Sequence, residues 1–82
     1  MSQTEKTKDL LLLLVKAIVD IEEKVEVKAI EGDQMTVFEV HVDSSDVGKV
    51  IGRKGSMAGA LRKIVIATAT KNKMRVMLEI VE

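Results

Sequence analysis

Residues 46–56 read "DVGKVIGRKGS", a short run that holds three glycines (Gly48, Gly52, Gly55) and three cations (Lys49, Arg53, Lys54) with apolar Val47, Val50 and Ile51 set among them. Three phosphate-binding patterns can be tested against it. The nucleotide P-loop needs lysine followed by serine or threonine after its last glycine, whereas Lys54 is followed by Gly55. The dinucleotide fingerprint needs glycine two places before Gly52, where Val50 stands, and a strand before the loop where the pattern here gives a helix. The third pattern, "GxxG" between two helices, is met by Gly52, Arg53, Lys54 and Gly55. Glycine at both ends lets the chain turn sharply and lets a sugar-phosphate backbone approach without meeting a Cβ atom. The helix that starts after the loop would turn its free N–H groups toward a bound phosphate, with Arg53 and Lys54 adding mobile charge. Such contacts hold a backbone in place but read no base.

Working outward, Asp43 is suited to cap a short helix through Ile51, with Asp46 in its first turn and Gly52 at its end. Met57, Ala60, Leu61, Ile64, Val65 and Thr68 recur at spacings of three and four, which predicts a helix to about Lys71. Asn72 is suited to close it in the left-handed conformation, with Lys71 and Lys73 at its negative end. The segment "MRVMLEIV" (74–81) then alternates, with Met74, Val76, Leu78 and Ile80 on one side. Upstream, "VEVKAIEGDQMTVFEVHV" (25–42) alternates on either side of Gly32 and Asp33, and a two-residue loop there pairs Val27 with Phe38 and Val25 with Val40. "SQTE" (Ser2 to Glu5) fits a capping box, and Leu11, Leu14, Val15, Ile18 and Ile21 predict a first helix over residues 3–22. The order is helix, strand, strand, helix, helix, strand. A two-helix crossover makes the last two strands parallel if adjacent, so the expected fold is α+β, with three helices on one face of a three-stranded mixed sheet. The opposite face would carry Glu26, Lys28, Ile30, Met35, Val37, Glu39 and His41.

Length and composition bound the function. Eighty-two residues are read as a single domain, 1–82, and a chain this short buries only about 60% of its unfolded surface, which leaves little room for an enclosed substrate pocket. The 46% hydrophobic and 32% charged fractions belong to a soluble globular protein. With no cysteine and one histidine, His41, thiolate metal sites and disulfides are excluded, and no metal or other cofactor is expected. His41 reads as a surface residue, and Ser44, Ser45 and Ser56 as helix caps, so no nucleophile, base and orienting group come together and no catalysis is expected. The run "LLLLLV" (10–15) is too short and too closely bracketed by Asp9, Lys16 and Asp20 to span a membrane, and reads as a buried helix face in a cytoplasmic protein. Net charge is zero, but residues 1–46 carry eleven acids against five bases and residues 47–82 eight bases against two acids, balances of −6 and +6. A basic half points to an anionic partner.

"VIGRKG", set between helices and followed by Ala58 and Leu61, resembles the core motif of KH domains, which bind single-stranded RNA or DNA. The element order resembles the type II KH arrangement over nearly the whole chain. The "EVEV…IEG" hairpin and "VGKVIGRKG" core resemble the small bacterial stand-alone KH proteins of the KhpA family. That resemblance implies a groove for about four nucleotides, clamped by the GxxG loop. Val47, Val50, Ile51, Ala58 and Leu61 would form its apolar floor and the edge strand from Met74, with Arg75, its opposite wall. Lys49, Gly52, Arg53, Lys54, Gly55 and Arg62 complete the implied RNA-binding set, with Lys63 a further surface cation beside it. Ala58 and Gly59 depart from the wider KH pattern, where a larger aliphatic and a polar residue are common, and imply a shallower groove. The resemblance also implies a homodimer or a heterodimer with a larger KH-containing protein of the Jag type, and roles in RNA regulation or chaperoning, cell elongation and division.

A competing reading is a protein-interaction adaptor on a KH-like fold that binds no nucleic acid. Its support is the zero net charge and the single aromatic, Phe38, which reads as core opposite Val27. Base stacking on aromatics contributes about 1 to 3 kcal/mol per base in many single-strand binders, so one copy of this chain should bind RNA weakly.

Overall fold

The computed structural model describes residues 2–71 and 73–82. Helix α1 spans Gln3–Ile18 and is opened by Ser2, whose Oγ accepts the Glu5 N–H at 3.1 Å. Strands β1 (Glu26–Glu31) and β2 (Thr36–His41) form an antiparallel hairpin. A 3-10 turn at Ser44–Asp46 leads into α2 (Val47–Ile51), a second at Arg53–Gly55 leads into α3 (Ser56–Thr70), and β3 (Val76–Val81) returns parallel to β2. The sheet order β1-β2-β3 puts β2 in the middle and leaves β3 as an edge strand. The expected α+β, type II KH-like order and the parallel crossover are therefore present.

Inward residues of the strands, Val27, Phe38, Val40 and Leu78, meet Leu11 and Val15 of α1, Val50 of α2, and Leu61 and Val65 of α3 in one core. Asp43 caps as its sequence position predicts, its carboxylate accepting both the backbone N–H of Ser45 at 3.0 Å and its hydroxyl at 2.6 Å. The leucine run is less buried than expected, since Leu11 is fully enclosed while Leu13 is 68% exposed. Where α1 meets α3 the contact is polar: the Thr7 hydroxyl donates to Thr68 Oγ1 at 3.0 Å, and Thr4 and Thr7 continue the buried stripe upstream of Leu11. Among the described residues no helix is long and apolar enough to cross a membrane.

Three expectations are revised. The first helix ends at Ile18, not near residue 22, and Val19 is extended. The amides of Asp20 and Ile21, which would have continued the helix, donate instead to the Asp46 carboxylate. The hairpin register is shifted by two: Val27 lies opposite Val40 and Ala29 opposite Phe38. Its turn runs from Gly32 to Met35, closed by the Gly32 N–H donating to the Met35 carbonyl at 2.8 Å. A loop with Gly32 and Asp33 in its middle would favour positive φ there, and neither residue adopts it. A shift of two keeps every side chain on its face, so the hydrophobic pattern is blind to it. The last strand begins at Val76, two residues after Met74, although the Arg75 carbonyl already accepts the Thr36 N–H at 2.9 Å. The closing role read for Asn72 lies outside the described residues.

Candidate nucleic-acid interface

The loop from Gly52 to Gly55 has an unusual backbone. Gly52 sits at φ 77°, ψ 172°, a region essentially closed to residues with a Cβ, and Gly55 is left-handed at φ 77°, ψ 13°. Between them Lys54 is also left-handed, at φ 56°, ψ 27°. That conformation costs a side-chain-bearing residue about 1 to 2 kcal/mol, so the loop holds its lysine against a local preference. The two glycines serve different ends. A Cβ on Gly52 would lie 2.7 Å from the backbone N and the Cβ of Met57, whereas one on Gly55 would meet nothing within 4 Å. Gly52 lets α2 and α3 approach closely, and Gly55 leaves open space before the first turn of α3.

Arg53 and Lys54 are exposed on this loop, and Arg62 and Lys63 follow on the exposed side of α3. Among the described residues the ion pairs are Lys28 with Glu26, His41 with Glu39, and Lys49 with Asp20 and Asp46, which leaves those four cations unpaired. Beyond the loop a trough of about 260 Å³ runs between α3 and the free edge of β3, lined by Arg62, Val65, Ile66, Val76, Met77 and Leu78. Arg62 lies about two helical turns below the loop, so loop and trough share one flank of α3. Val50, Ala58 and Leu61 are buried, at 0%, 4% and 2% exposure, and do not line the trough, while Val47 and Ile51 remain half-buried. Arg75 stands apart. It borders an open cavity of about 400 Å³ with Lys73, Glu31 and Asp33, beyond the far end of α3 and so roughly 20 Å from the GxxG loop.

Lys49 points elsewhere. Its ammonium pairs with the carboxylates of Asp20 and of Asp46, the latter at 3.2 Å. The hydrogen bond to Asp20, and then that to Asp46, raises its pKa above the usual lysine value. Asp46 is fully buried, and the Ile21 N–H is the foremost of the donors that hold its carboxyl below the ordinary range, against the opposing effect of burial.

Residues 8–80 match the family described as KhpA/KhpB, KH domain. The chain belongs to that family. It is 45% identical over 74 residues to the RNA-binding protein KhpA of Borreliella burgdorferi, an alignment covering 90% of each chain. It is 47% identical over 75 residues to the protein of the same name from Aquifex aeolicus, covering 92% of this chain and 95% of the relative. The Caldanaerobacter subterraneus RNA-binding protein KhpA is 44% identical over 73 residues, covering 89% and 97%. No solved structure matches the chain. The family is one of binding domains, not of enzymes.

Within this KH domain the sequence reading missed Ile66 and Met77, which line the trough, and the long-range reach of Asp46 to the amides of Asp20 and Ile21. Ile66 follows buried Val65 and is 53% exposed, and Met77 is 50% exposed on the outward side of β3. Both carried a legible signal: an apolar residue at a position that its element's periodicity turns outward. Asp46 did not, because a first-turn acid and a buried acceptor for distant amides look alike in sequence.

Proposed function

We propose that the chain binds single-stranded RNA without chemistry, the Gly52–Gly55 loop holding the sugar-phosphate backbone and the α3–β3 trough receiving bases. The observation that carries this reading is the loop itself: Lys54 held in a strained left-handed turn beside Arg53, both unpaired, at the start of α3. Membership of a family whose relatives are named RNA-binding proteins supports it. The phosphate contacts are assigned to Gly52, Arg53, Lys54 and Gly55, with Arg62 beside the bases. Ile51, Val50, Ala58 and Leu61 supply the apolar surface and its support, and Arg75 stands at the far end of the strand's path.

No aromatic lines the trough, so a single copy binds weakly, and a second KH domain would raise affinity by linkage. A second copy or a larger Jag-type KH protein fits that need, with the chain acting as a cytoplasmic RNA regulator or chaperone in cell elongation and division. The adaptor reading has one observation in its favour: Ile30, Val37 and Met77 lie opposite one another across all three strands on the outer face, an apolar row open to a protein partner.

Fluorescence anisotropy of labelled single-stranded RNA tests the assignment. Wild type should bind with a log–log salt slope of about −1.4 to −2.1, for two or three neutralised phosphates. Arg53→Asp with Lys54→Asp should reduce affinity by roughly 100-fold while circular dichroism stays unchanged. Equal binding by both proteins, or by neither, would turn the search to protein partners on the sheet face.

A further inference from the structure

Among the described residues Asp46 is the one buried charged side chain. Its Oδ2 accepts the Ile21 N–H at 3.0 Å, and its Oδ1 accepts the Asp20 N–H and the Lys49 ammonium, each at 3.2 Å. Lys49 in turn pairs with the Asp20 carboxylate, which is 77% exposed. The cluster joins the end of the first helix to α2, three residues before Gly52. That helix has only five residues and no side-chain cap of its own, so its direction must come from tertiary contacts. Electrostatics ties Lys49 to the cluster. Two carboxylates surround one ammonium, so an approaching phosphate meets net negative charge, and losing Lys49 would strip a buried carboxylate of its cation.

We propose that Asp46 and Lys49 are positioning residues: by fastening α2 to the backbone at Asp20 and Ile21 they set the GxxG loop for RNA, and Lys49 itself makes no phosphate contact. This rests on the RNA-binding reading above. It removes Lys49 from the phosphate-binding set that the motif implies.

The test combines anisotropy titrations over a range of salt with amide NMR spectra of Lys49→Met, Asp46→Asn, the double variant and Lys49→Arg, at a temperature where each is folded. Lys49→Met should weaken RNA binding about fivefold with the wild-type salt slope, whereas Arg53→Gln should make the slope shallower by about 0.7. The double variant should be no weaker than its weaker parent, Lys49→Arg should restore affinity, and the Gly52 and Gly55 amides should shift in Lys49→Met. A slope shallower by about 0.7 in Lys49→Met would make Lys49 a phosphate ligand and overturn the proposal. Unchanged affinity in both single variants would reduce the cluster to a fold contact and overturn it equally. If Asp46→Asn does not fold, Lys49→Met still decides, since it leaves Asp46 both backbone donors. If wild type binds no RNA, the RNA reading fails by itself, and the Gly52 and Gly55 shifts alone decide whether the cluster sets the loop.

Discussion

Two four-residue turns containing glycine and charge lie at opposite ends of α3. At Gly32–Met35 neither glycine nor aspartate has positive φ, and the acids Glu31 and Asp33 share a cavity with Lys73 and Arg75. At Gly52–Gly55 three of four residues have positive φ, and Arg53 and Lys54 have no acid within ion-pair distance among the described residues. The first turn connects two strands with its charges in opposing company. Lys73 beside the first turn is left-handed too, at φ 56°, but lines its cavity with Glu31 and Asp33, so it is the lack of acids beside three positive-φ residues, more than strain or glycine itself, that distinguishes the second turn.

Glycine substitutions can break this comparison. Gly52→Ala should be the most damaging, at about 3 kcal/mol or more by urea denaturation, because it adds a forbidden conformation to a backbone collision. Gly55→Ala should cost about 1 kcal/mol, the left-handed penalty alone, since its Cβ would stand in open space. Gly32→Ala should fall within about 0.5 kcal/mol of wild type: its Cβ would come 3.1 Å from the Met35 carbonyl oxygen, a mild crowding offset by the lost freedom of the unfolded chain. Equal costs at Gly52 and Gly32 would remove the distinction between the two turns.

Charge sharpens it further. Arg53→Gln should lower RNA affinity several-fold at low salt, and Arg75→Gln, at the end where acids face bases, should change it less than twofold. A smaller signature lies in acid. The depressed pKa of Asp46 means that its contribution to stability is complete above the ordinary carboxylate value near pH 4 and is lost as pH falls through the lower folded value. Thermal denaturation of wild type and Asp46→Asn should therefore differ most at neutral pH and converge toward pH 2. Asp43, lowered first by the Ser45 hydroxyl, titrates in both proteins and cancels in the difference.

Much of this was legible in the residues. Period-two alternation placed Val27, Phe38, Val40 and Leu78 inward, and the crossover rule made β3 parallel to β2. The GxxG spacing located the turn that joins α2 to α3. What escaped had a common cause, a long-range partner. The first helix stops at Ile18 because its next amides find Asp46, 25 and 26 residues away in sequence. Lys49 looks like one cation among three until Asp20 comes beside it. The trough needs α3 and the edge of β3 together, so Ile66 and Met77 acquire meaning only once the sheet order is known.

The hairpin tip has a practical consequence. Asp33 and Gln34 are exposed, and the turn that carries them lies at the end of the sheet away from the GxxG loop. Lengthening such a turn is inexpensive, each doubling of a flexible loop adding only about 0.6 kcal/mol, while β1 and β2 keep their register through their own cross-strand pairs. A reporter peptide spliced between Asp33 and Gln34, or new chain ends opened there by circular permutation, would leave the parallel β2–α2–α3–β3 unit uninterrupted.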